Sequence, residues 1–315
     1  MNLIFLLSIN RSGSTLILNE LSKSPDIMVC PEADCLVNIL LTNQNKQISP
    51  GDLQRIKRKL AHDPKFTSWA MPISTIQMSK SEMTYFDVFV LILTKYLNRI
   101  KPGARMIIFR AERLFQLVNE LNQENINKYE IQIICLIRDI RAVYASQKNT
   151  IDPDSGRRMS QNPVRTTKYW RWYIESMKRS SRLHWELIRF EDFITKYDQI
   201  IIQLFNLLGA SEEILKSTGD LFGRLPETHK KIHKNCNKKP LVSRIDAWQY
   251  SLSIYEVYCI ESMEGNTLKE FHYELLSPSV NCIILFALQF KWYFFYFMGR
   301  VFRNVRYSLM RKIHA

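Results

Sequence analysis

The sequence predicts an α/β fold with a central parallel β-sheet flanked by helices on both faces, followed by an aromatic, basic helical tail. Short apolar runs alternate with segments of helical periodicity along most of the chain. This alternation is typical of parallel sheets, because a connection between two parallel strands usually contains a helix. Since no break in composition occurs before residue 275, we predict one domain over residues 1–275 and a tail over residues 276–315.

Continuous apolar runs mark the strands, as is typical of strands buried on both faces of a parallel sheet. The predicted strands are residues 3–7, 26–30, 104–109, 131–137 and 185–188. The predicted helices are residues 36–99 with interruptions at three prolines, residues 111–121, a helix beginning near residue 140, and residues 166–181 and 197–208. Gly209 is expected to end the last of these helices.

A polar loop, residues 8–14, follows the first strand and leads into a helix expected to be capped by Ser14 or Thr15. A helix N-terminus offers free N–H groups and the positive end of its dipole, which favour an anion. Arg11 adds a guanidinium group that suits phosphate or sulfate oxygens. The loop therefore predicts an anion site, and the alternative is a plain turn with hydroxyl side chains. A Walker A loop would need a lysine and a second glycine, and a dinucleotide fingerprint two more glycines.

A second polar segment, residues 138–146, follows the strand at residues 131–137. In an open parallel sheet the ligand binds outside the carboxyl ends of the strands. The two segments are therefore expected to face one ligand with two anionic groups, with Arg138 and Ser146 on one phosphate. For Arg138 alone, an ion pair with Asp139 or another acidic residue is the alternative.

Composition limits the class of protein. The 315 residues, 46% hydrophobic and 23% charged, are typical of a globular protein. The net charge of +14 suits an enzyme with a polyanionic ligand, and no nucleic-acid-binding signature accompanies it, so we expect no nucleic-acid partner. The six cysteines form no Cys-x-x-Cys pair and the apolar start lacks a signal-peptide pattern. We therefore expect reduced thiols, no zinc site and a cytoplasmic protein.

The two polar segments resemble the phosphate motifs of the sulfotransferase superfamily that uses 3′-phosphoadenosine 5′-phosphosulfate (PAPS), of the carbohydrate or tyrosylprotein type and its bacterial-like members. Asn-Arg-Ser-Gly-Ser-Thr-Leu at residues 10–16 is similar to the 5′-phosphosulfate loop. Residues 136–146 are similar to the 3′-phosphate motif, usually Arg-Asp-Pro-Arg-Ala-x-x-x-Ser, with Ile140 in place of the proline. Residues 189–193 and 207–209 resemble a structural stretch of the family, and residues 229–248 resemble its late segment that closes over the nucleotide.

The resemblance implies a P-loop-like sheet and transfer of a sulfuryl group from PAPS, without a metal, to an acceptor hydroxyl. We expect this hydroxyl on a carbohydrate or, because of the tail, on a lipid-linked glycan. It assigns the 5′-phosphosulfate to Arg11, Ser12, Gly13, Ser14 and Thr15, the 3′-phosphate to Arg138 and Ser146, and other nucleotide contacts to Ser243 and Arg244.

An acceptor hydroxyl also needs a base within hydrogen-bond reach. Glu32 follows the second strand and is expected at the same sheet edge as Arg11, so these two are the predicted catalytic residues. The tyrosylprotein branch of the family is similar in placing a glutamate after this strand. Asp34 is the alternative base, and a charge that stabilises a helix N-terminus is the alternative role of Glu32.

The tail contains a nearly unbroken apolar and aromatic run, residues 280–298, and carries six basic and no acidic residues over residues 277–315. At about 1.5 Å per residue this run could nearly cross a bilayer core of about 30 Å. Its central Lys291 and dense aromatic residues favour a helix that lies in the interface, with the arginines at anionic headgroups. Packing on the domain or on a dimer partner is the alternative.

Two other functions remain open. A P-loop-like nucleotide-dependent kinase is one, and the missing lysine and second glycine count against it. A non-catalytic basic protein that associates with membranes or nucleic acid is the other. No motif in the sequence names the acceptor.

Overall fold

The computed structural model describes residues 2–41, 43–78, 82–180, 185–211, 221–225, 227–232 and 241–313, with residues 303–313 as backbone alone. The chain forms two compact units. The first contains Met1–Arg138 and Glu175–Val242, and the second contains Asp139–Ile174 and Ser243–Ala315. The division that the sequence predicts at residue 275 stays a prediction.

A five-stranded parallel sheet forms the centre of the first unit. Its strands are β1 (Asn2–Leu7), β2 (Ile27–Val29), β3 (Met106–Phe109), β4 (Gln132–Ile137) and β5 (Trp185–Arg189), in the order β2-β3-β1-β4-β5. Each strand lies where an apolar run predicts one. The α/β class with a central parallel sheet is confirmed.

The α-helices are α1 (Ser14–Leu21), α2 (Asp34–Leu40), α3 (Pro50–Ala61), α4 (Pro64–Thr67), α5 (Tyr85–Ile100), α6 (Leu114–Val118), α7 (Gln123–Lys128), α8 (Ile140–Asn149), α9 (Pro163–Arg179), α10 (Phe190–Thr195), α11 (Tyr197–Leu208), α12 (Glu227–Ile232), α13 (Trp248–Ser251), α14 (Ile254–Glu270) and α15 (Cys282–Ile313). Short 3-10 helices cover Ile73–Thr75, Phe222–Arg224 and Val242–Arg244. Gly209 ends α11 in the left-handed region, at φ 62°, as predicted.

Strand order creates a crevice between β1 and β4. The chain leaves β1 towards one edge of the sheet, where β2 and β3 lie, and leaves β4 towards the other edge, where β5 lies. Right-handed crossovers in opposite directions place their helices on opposite faces of the sheet. The loops after β1 and β4 therefore diverge, which is the position where open α/β sheets bind ligands.

The sheet is buried by the aromatic face of α5. Phe89 of α5 lies with its ring centroid 5.2 Å from that of Phe109 in β3 and 6.3 Å from that of Phe5 in β1. All three side chains are buried, and each contributes about 1.5–3 kcal/mol by leaving water. Because β1 and β3 pair in parallel beneath this helix, their carboxyl ends lie at the same edge of the sheet.

The second unit is held by buried ion pairs. Arg141 of α8 lies 2.7 Å from the Asp139 carboxylate and 2.5 Å from that of Glu261 in α14. Its guanidinium group also lies 4.1 Å from the centre of the Trp248 ring. Because all of these charges are buried, removing one partner is expected to cost about 3–5 kcal/mol.

The tail is helical. By length and composition its segment Cys282–Phe302 could cross a membrane, and little of it is buried within the protein. One face of α15 packs in the second unit, where Trp292 forms a small core with Val164 and Cys259.

We expect Asp87 to set part of the acid stability. Its carboxylate accepts hydrogen bonds from Lys128 Nζ at 2.7 Å, from the Thr84 N–H at 2.8 Å and from the Tyr129 hydroxyl. Burial raises the pKa of Asp87, but these hydrogen bonds outweigh burial and lower the pKa to about 2. The stability that the ionised carboxylate provides is therefore complete above about pH 4 and is lost as the pH falls towards 2.

The substitution Asp87→Asn should lower the free energy of unfolding at pH 7 by about 1 kcal/mol. It should also flatten the loss of stability between about pH 4 and pH 2, measured by urea unfolding at a series of pH values. Asp52→Asn is the matched control, because Asp52 occupies the same capping position on the exposed helix α3. An equal effect of both substitutions would contradict the prediction.

Candidate active site at the carboxyl edge of the sheet

The loop between β1 and α1 turns through two residues in the left-handed region. Arg11 has φ 73° and Gly13 has φ 91°. The Ser12 N–H donates to the Ile9 carbonyl at 3.3 Å, which closes the turn. Left-handed residues in a tight turn direct successive backbone N–H groups to one side, and such concave backbones bind anions. For Arg11 this conformation carries strain, which concentrates at functional sites.

Gly13, and not Ser14 or Thr15, is the N-cap of α1. The predicted side-chain cap is therefore wrong. Ser14 is already the first helical residue. Because a glycine cap has no side chain, the first N–H groups of α1 receive no side-chain cap and are suited to an external anion.

Arg138 links the two predicted phosphate segments. It follows β4 directly, and its Nη1 atom donates to the carbonyl oxygen of Arg11 at 2.9 Å. Its guanidinium group lies 4.4 Å from the centre of the Phe190 ring. Asp139, the acidic residue considered as an alternative partner of Arg138, forms an ion pair with Arg141. The structure thus brings Arg138 and the loop after β1 together, as their positions after adjacent strands predict.

The remaining predicted phosphate and nucleotide residues lie in the second unit. Ser146 is in the second turn of α8 and is partly exposed. Ser243 and Arg244 are exposed in the 3-10 helix Val242–Arg244. Within the predicted late segment, residues 233–240 lie outside the described part of the chain. The roles of these three residues stay predictions.

Arg110 connects Glu32 to the loop after β1. It follows β3 directly and is 6% exposed. Its Nη1 atom lies 2.5 Å from Glu32 Oε1, its Nη2 atom donates to Asn10 Oδ1 at 2.8 Å, and its Nε atom donates to Ser8 Oγ at 3.2 Å. One buried guanidinium group therefore holds the predicted base and two loop side chains in a fixed arrangement.

Asp34 is held by a different set of partners. Its Oδ2 atom accepts from Lys65 Nζ at 2.8 Å, and its Oδ1 atom accepts from the Glu112 N–H at 2.9 Å. Burial raises the pKa of Asp34, but the Lys65 ammonium and these hydrogen bonds outweigh it, so the pKa lies below its usual value. Burial lowers the pKa of Lys65, but the charges of Glu32 and Asp34 raise it above its usual range.

These contacts favour Glu32 over Asp34 as the base. Both Asp34 oxygens accept hydrogen bonds, and a lowered pKa makes a carboxylate a weaker proton acceptor. Glu32 Oε2 lies 4.0 Å from Lys65 Nζ, which is too long for a hydrogen bond.

Sequence reasoning missed Arg110 and Lys65. Arg110 could have been found, because it immediately follows a predicted strand, as Arg138 does. The signal was the position of the charge at the end of an apolar run. Lys65 lies in the short helix α4, and nothing in its local sequence places it beside Glu32 and Asp34.

Residues at the carboxyl ends of all five strands define this edge. They are Ser8 to Gly13 after β1, Glu32 after β2, Arg110 after β3, Arg138 after β4 and Phe190 after β5. The arrangement combines a loop for one anion, a guanidinium group for a second anion, and a carboxylate that is held in place. Chemically, it can bind a substrate with two anionic groups and accept a proton beside it.

Two sulfotransferase domains of known structure share this fold. The sulfotransferase domain from the curacin biosynthetic pathway aligns with a TM-score of 0.54 and 18% identity, over 87% of this chain and 98% of that domain. The sulfotransferase domain from the Synechococcus PCC 7002 olefin synthase aligns with a TM-score of 0.53 and 16% identity, over 87% of this chain and 96% of that domain. No protein-family model and no curated protein matches the sequence. The sulfotransferase fold that the resemblance implies is confirmed.

Gly13 is expected to be irreplaceable because of Phe190. A Cβ atom at Gly13 would lie 2.1 Å from Phe190 Cε2, and φ 91° is strained for alanine. Gly13→Ala must therefore displace the ring that stacks on Arg138, and we expect a loss of about 3 kcal/mol in the free energy of unfolding.

Gly103→Ala is the matched control. Gly103 has φ 99°, but nothing lies within 4 Å of a Cβ atom there. This substitution should cost only the backbone strain, about 1 kcal/mol. Chemical denaturation of both variants measures the difference, and equal costs would show that the Phe190 contact is unimportant.

Proposed function

We propose that this chain is a sulfotransferase that moves the sulfuryl group of PAPS to an acceptor hydroxyl of a carbohydrate or lipid-linked glycan. The observation that carries the proposal is the hydrogen bond between Arg138 and the Arg11 carbonyl. It joins two anion-binding segments at the crevice between β1 and β4. A nucleotide with phosphate groups on both its 3′ and 5′ oxygens is the ligand that such a pair of segments suits.

In this proposal the loop after β1 holds the 5′-phosphosulfate. The N–H groups at the start of α1 and the hydroxyls of Ser12, Ser14 and Thr15 donate to it, and Arg11 supplies a positive charge. Arg138, with Ser146, holds the 3′-phosphate. Ser243 and Arg244 are proposed to contact the rest of the nucleotide.

The reaction is an in-line displacement at sulfur. The acceptor oxygen forms a bond to sulfur while the bond from sulfur to the bridging phosphate oxygen breaks, giving a sulfate ester and adenosine 3′,5′-bisphosphate. Negative charge develops on the bridging oxygen, and the fixed N–H donors of the loop together with Arg11 stabilise it. The proposed chemistry assigns no step to a metal ion.

Glu32 is proposed to take the proton from the acceptor hydroxyl. The ion pair with Arg110 at 2.5 Å orients the carboxylate, and the Oε2 atom, which lies too far from Lys65 Nζ for a hydrogen bond, is the proposed proton acceptor. Arg110 is proposed as a positioning residue, because it connects this base to the loop that holds the donor.

The tail supports an acceptor at a membrane. An apolar, basic C-terminal helix suits an enzyme that works at the cytoplasmic side of a membrane. A lipid-linked glycan is an acceptor that is held at a membrane. We therefore propose a cytoplasmic protein that associates peripherally with the membrane.

Transfer of labelled sulfate from PAPS to a panel of glycans tests the proposal. Glu32→Gln should lower kcat by about 100-fold or more, since it removes a general base, and should leave the affinity for adenosine 3′,5′-bisphosphate nearly unchanged. Asp34→Asn is the matched control and should lower kcat by less than about 10-fold, because both Asp34 oxygens serve structural hydrogen bonds.

Full activity of Glu32→Gln would show that Glu32 is not the base. Absence of binding of both PAPS and adenosine 3′,5′-bisphosphate by the wild-type protein would refute the sulfotransferase. Magnesium-dependent ATP binding in their place would favour the kinase.

A further inference from the structure

Helix α15 presents a continuous apolar face to solvent. Ile283 is 82% exposed, Phe286 73% and Phe290 67%, and Phe294, Phe297 and Val301 continue the face. With about 3.6 residues per turn, these positions fall on one side of the helix over its first five turns. Isolated exposed apolar residues are ordinary, but an uninterrupted row of phenylalanines marks an interaction surface.

The opposite face of α15 is anchored in the second unit. Trp292 is buried with Val164 and Cys259, and the Trp292 carbonyl accepts a hydrogen bond from Asn162 Nδ2 at 2.8 Å. Lys168 Nζ lies 4.3 Å from the centre of the Tyr296 ring. The middle of α15 is therefore held against two polar side chains of the second unit, Asn162 and Lys168.

Charges lie beside the apolar face and beyond it. Helical spacing places Lys291 on one flank of the face and Arg300 on the other, and both side chains are exposed. Four more basic residues follow in the sequence, and no acidic residue occurs over residues 277–315. Long basic side chains beside an apolar stripe can bury their stems while their charges reach lipid headgroups.

We propose that this face of α15 binds the surface of an anionic lipid bilayer, with the helix axis parallel to the membrane. The face would enter the boundary between headgroups and acyl chains, and the flanking residues Lys291 and Arg300 would contact anionic headgroups.

The contacts of the buried face of α15 distinguish a helix that lies on the membrane from one that crosses it. A helix that crosses the bilayer has its middle residues at the centre of the hydrocarbon. For α15 this would carry the Asn162 amide and the Lys168 ammonium, which contact Trp292 and Tyr296, into the hydrocarbon core. Polar and charged groups are costly there, whereas a parallel helix keeps them on the water side.

A second copy of the chain is the other occupant to consider. A parallel pair of α15 helices would place two identical basic segments near one another, with no acidic residue from residues 277–315 to balance them. An anionic bilayer instead provides the opposite charge. Charge complementarity therefore favours the lipid surface.

Vesicle flotation of the full-length protein tests the proposal. We expect binding to phosphatidylcholine vesicles that contain about one quarter phosphatidylglycerol, and binding at least about 10-fold weaker without the anionic lipid or in high salt. The triple variant Phe286→Ser, Phe290→Ser, Phe294→Ser should lose at least about 10-fold in affinity for the anionic vesicles.

The matched control replaces two exposed aromatic residues of the second unit outside α15, in the variant Trp172→Ser, Tyr250→Ser. It should bind vesicles like the wild type. Circular dichroism should show the same helix content in all three proteins. Equal vesicle binding by the triple variant, or a wild-type dimer that the triple variant dissociates without any vesicle binding, would overturn the proposal.

Depth measurements separate the parallel helix from a spanning one. Spin labels at residues 283, 290 and 297 are attached in a background that lacks Cys35, Cys236 and Cys282. A parallel helix predicts the same depth at all three positions. A spanning helix predicts a steady change of about 21 Å over these fourteen residues, which would overturn the parallel arrangement. The affinity for adenosine 3′,5′-bisphosphate in solution reports separately on the proposed sulfotransferase, so the two proposals can fail independently.

Discussion

The candidate site depends on one hydrogen bond, from the Arg138 guanidinium group to the carbonyl of Arg11. It exists because β1 and β4 are adjacent, parallel and in register, so that the residues after their carboxyl ends meet. The Phe190 ring covers this guanidinium group and leaves no room for a side chain at Gly13. The left-handed turn, the glycine cap and the arginine are therefore one packed arrangement, contributed by three strand ends.

A second arginine extends this arrangement to the other half of the sheet. Arg110 after β3 reaches the loop through Ser8 and Asn10 and pairs with Glu32 after β2. The predicted base is thus coupled by a buried cation to the loop proposed to hold the donor. Lys65 donates a hydrogen bond to the second carboxylate, Asp34, and its ammonium group also lies 4.0 Å from Glu32.

The five strands could be predicted from the sequence because each is a local apolar run, and most helices up to α11 could be predicted from their local period. Helix α14 was not predicted. The end of α11 was also predicted from a local signal, the glycine at position 209. The proximity of Arg138 to the loop followed from a general rule for parallel sheets. The cap of α1 was not predictable, because the Phe190 ring, which leaves no room for a side chain at Gly13, is far away in the sequence. Arg110 could have been found at the end of a predicted strand, but its pairing with Glu32 depends on the order of the strands. The position of Lys65 beside Glu32 depends on α4, and no local pattern reveals it.

The central claim is that Arg138 recognises a second phosphate on the nucleotide. Calorimetric titration of adenosine 3′,5′-bisphosphate and adenosine 5′-monophosphate into the wild type and Arg138→Ala tests it most directly, with circular dichroism to verify folding. We predict that removal of the 3′-phosphate weakens binding about 100-fold in the wild type and less than about 3-fold in the variant. An equal loss of affinity in both proteins would contradict the account.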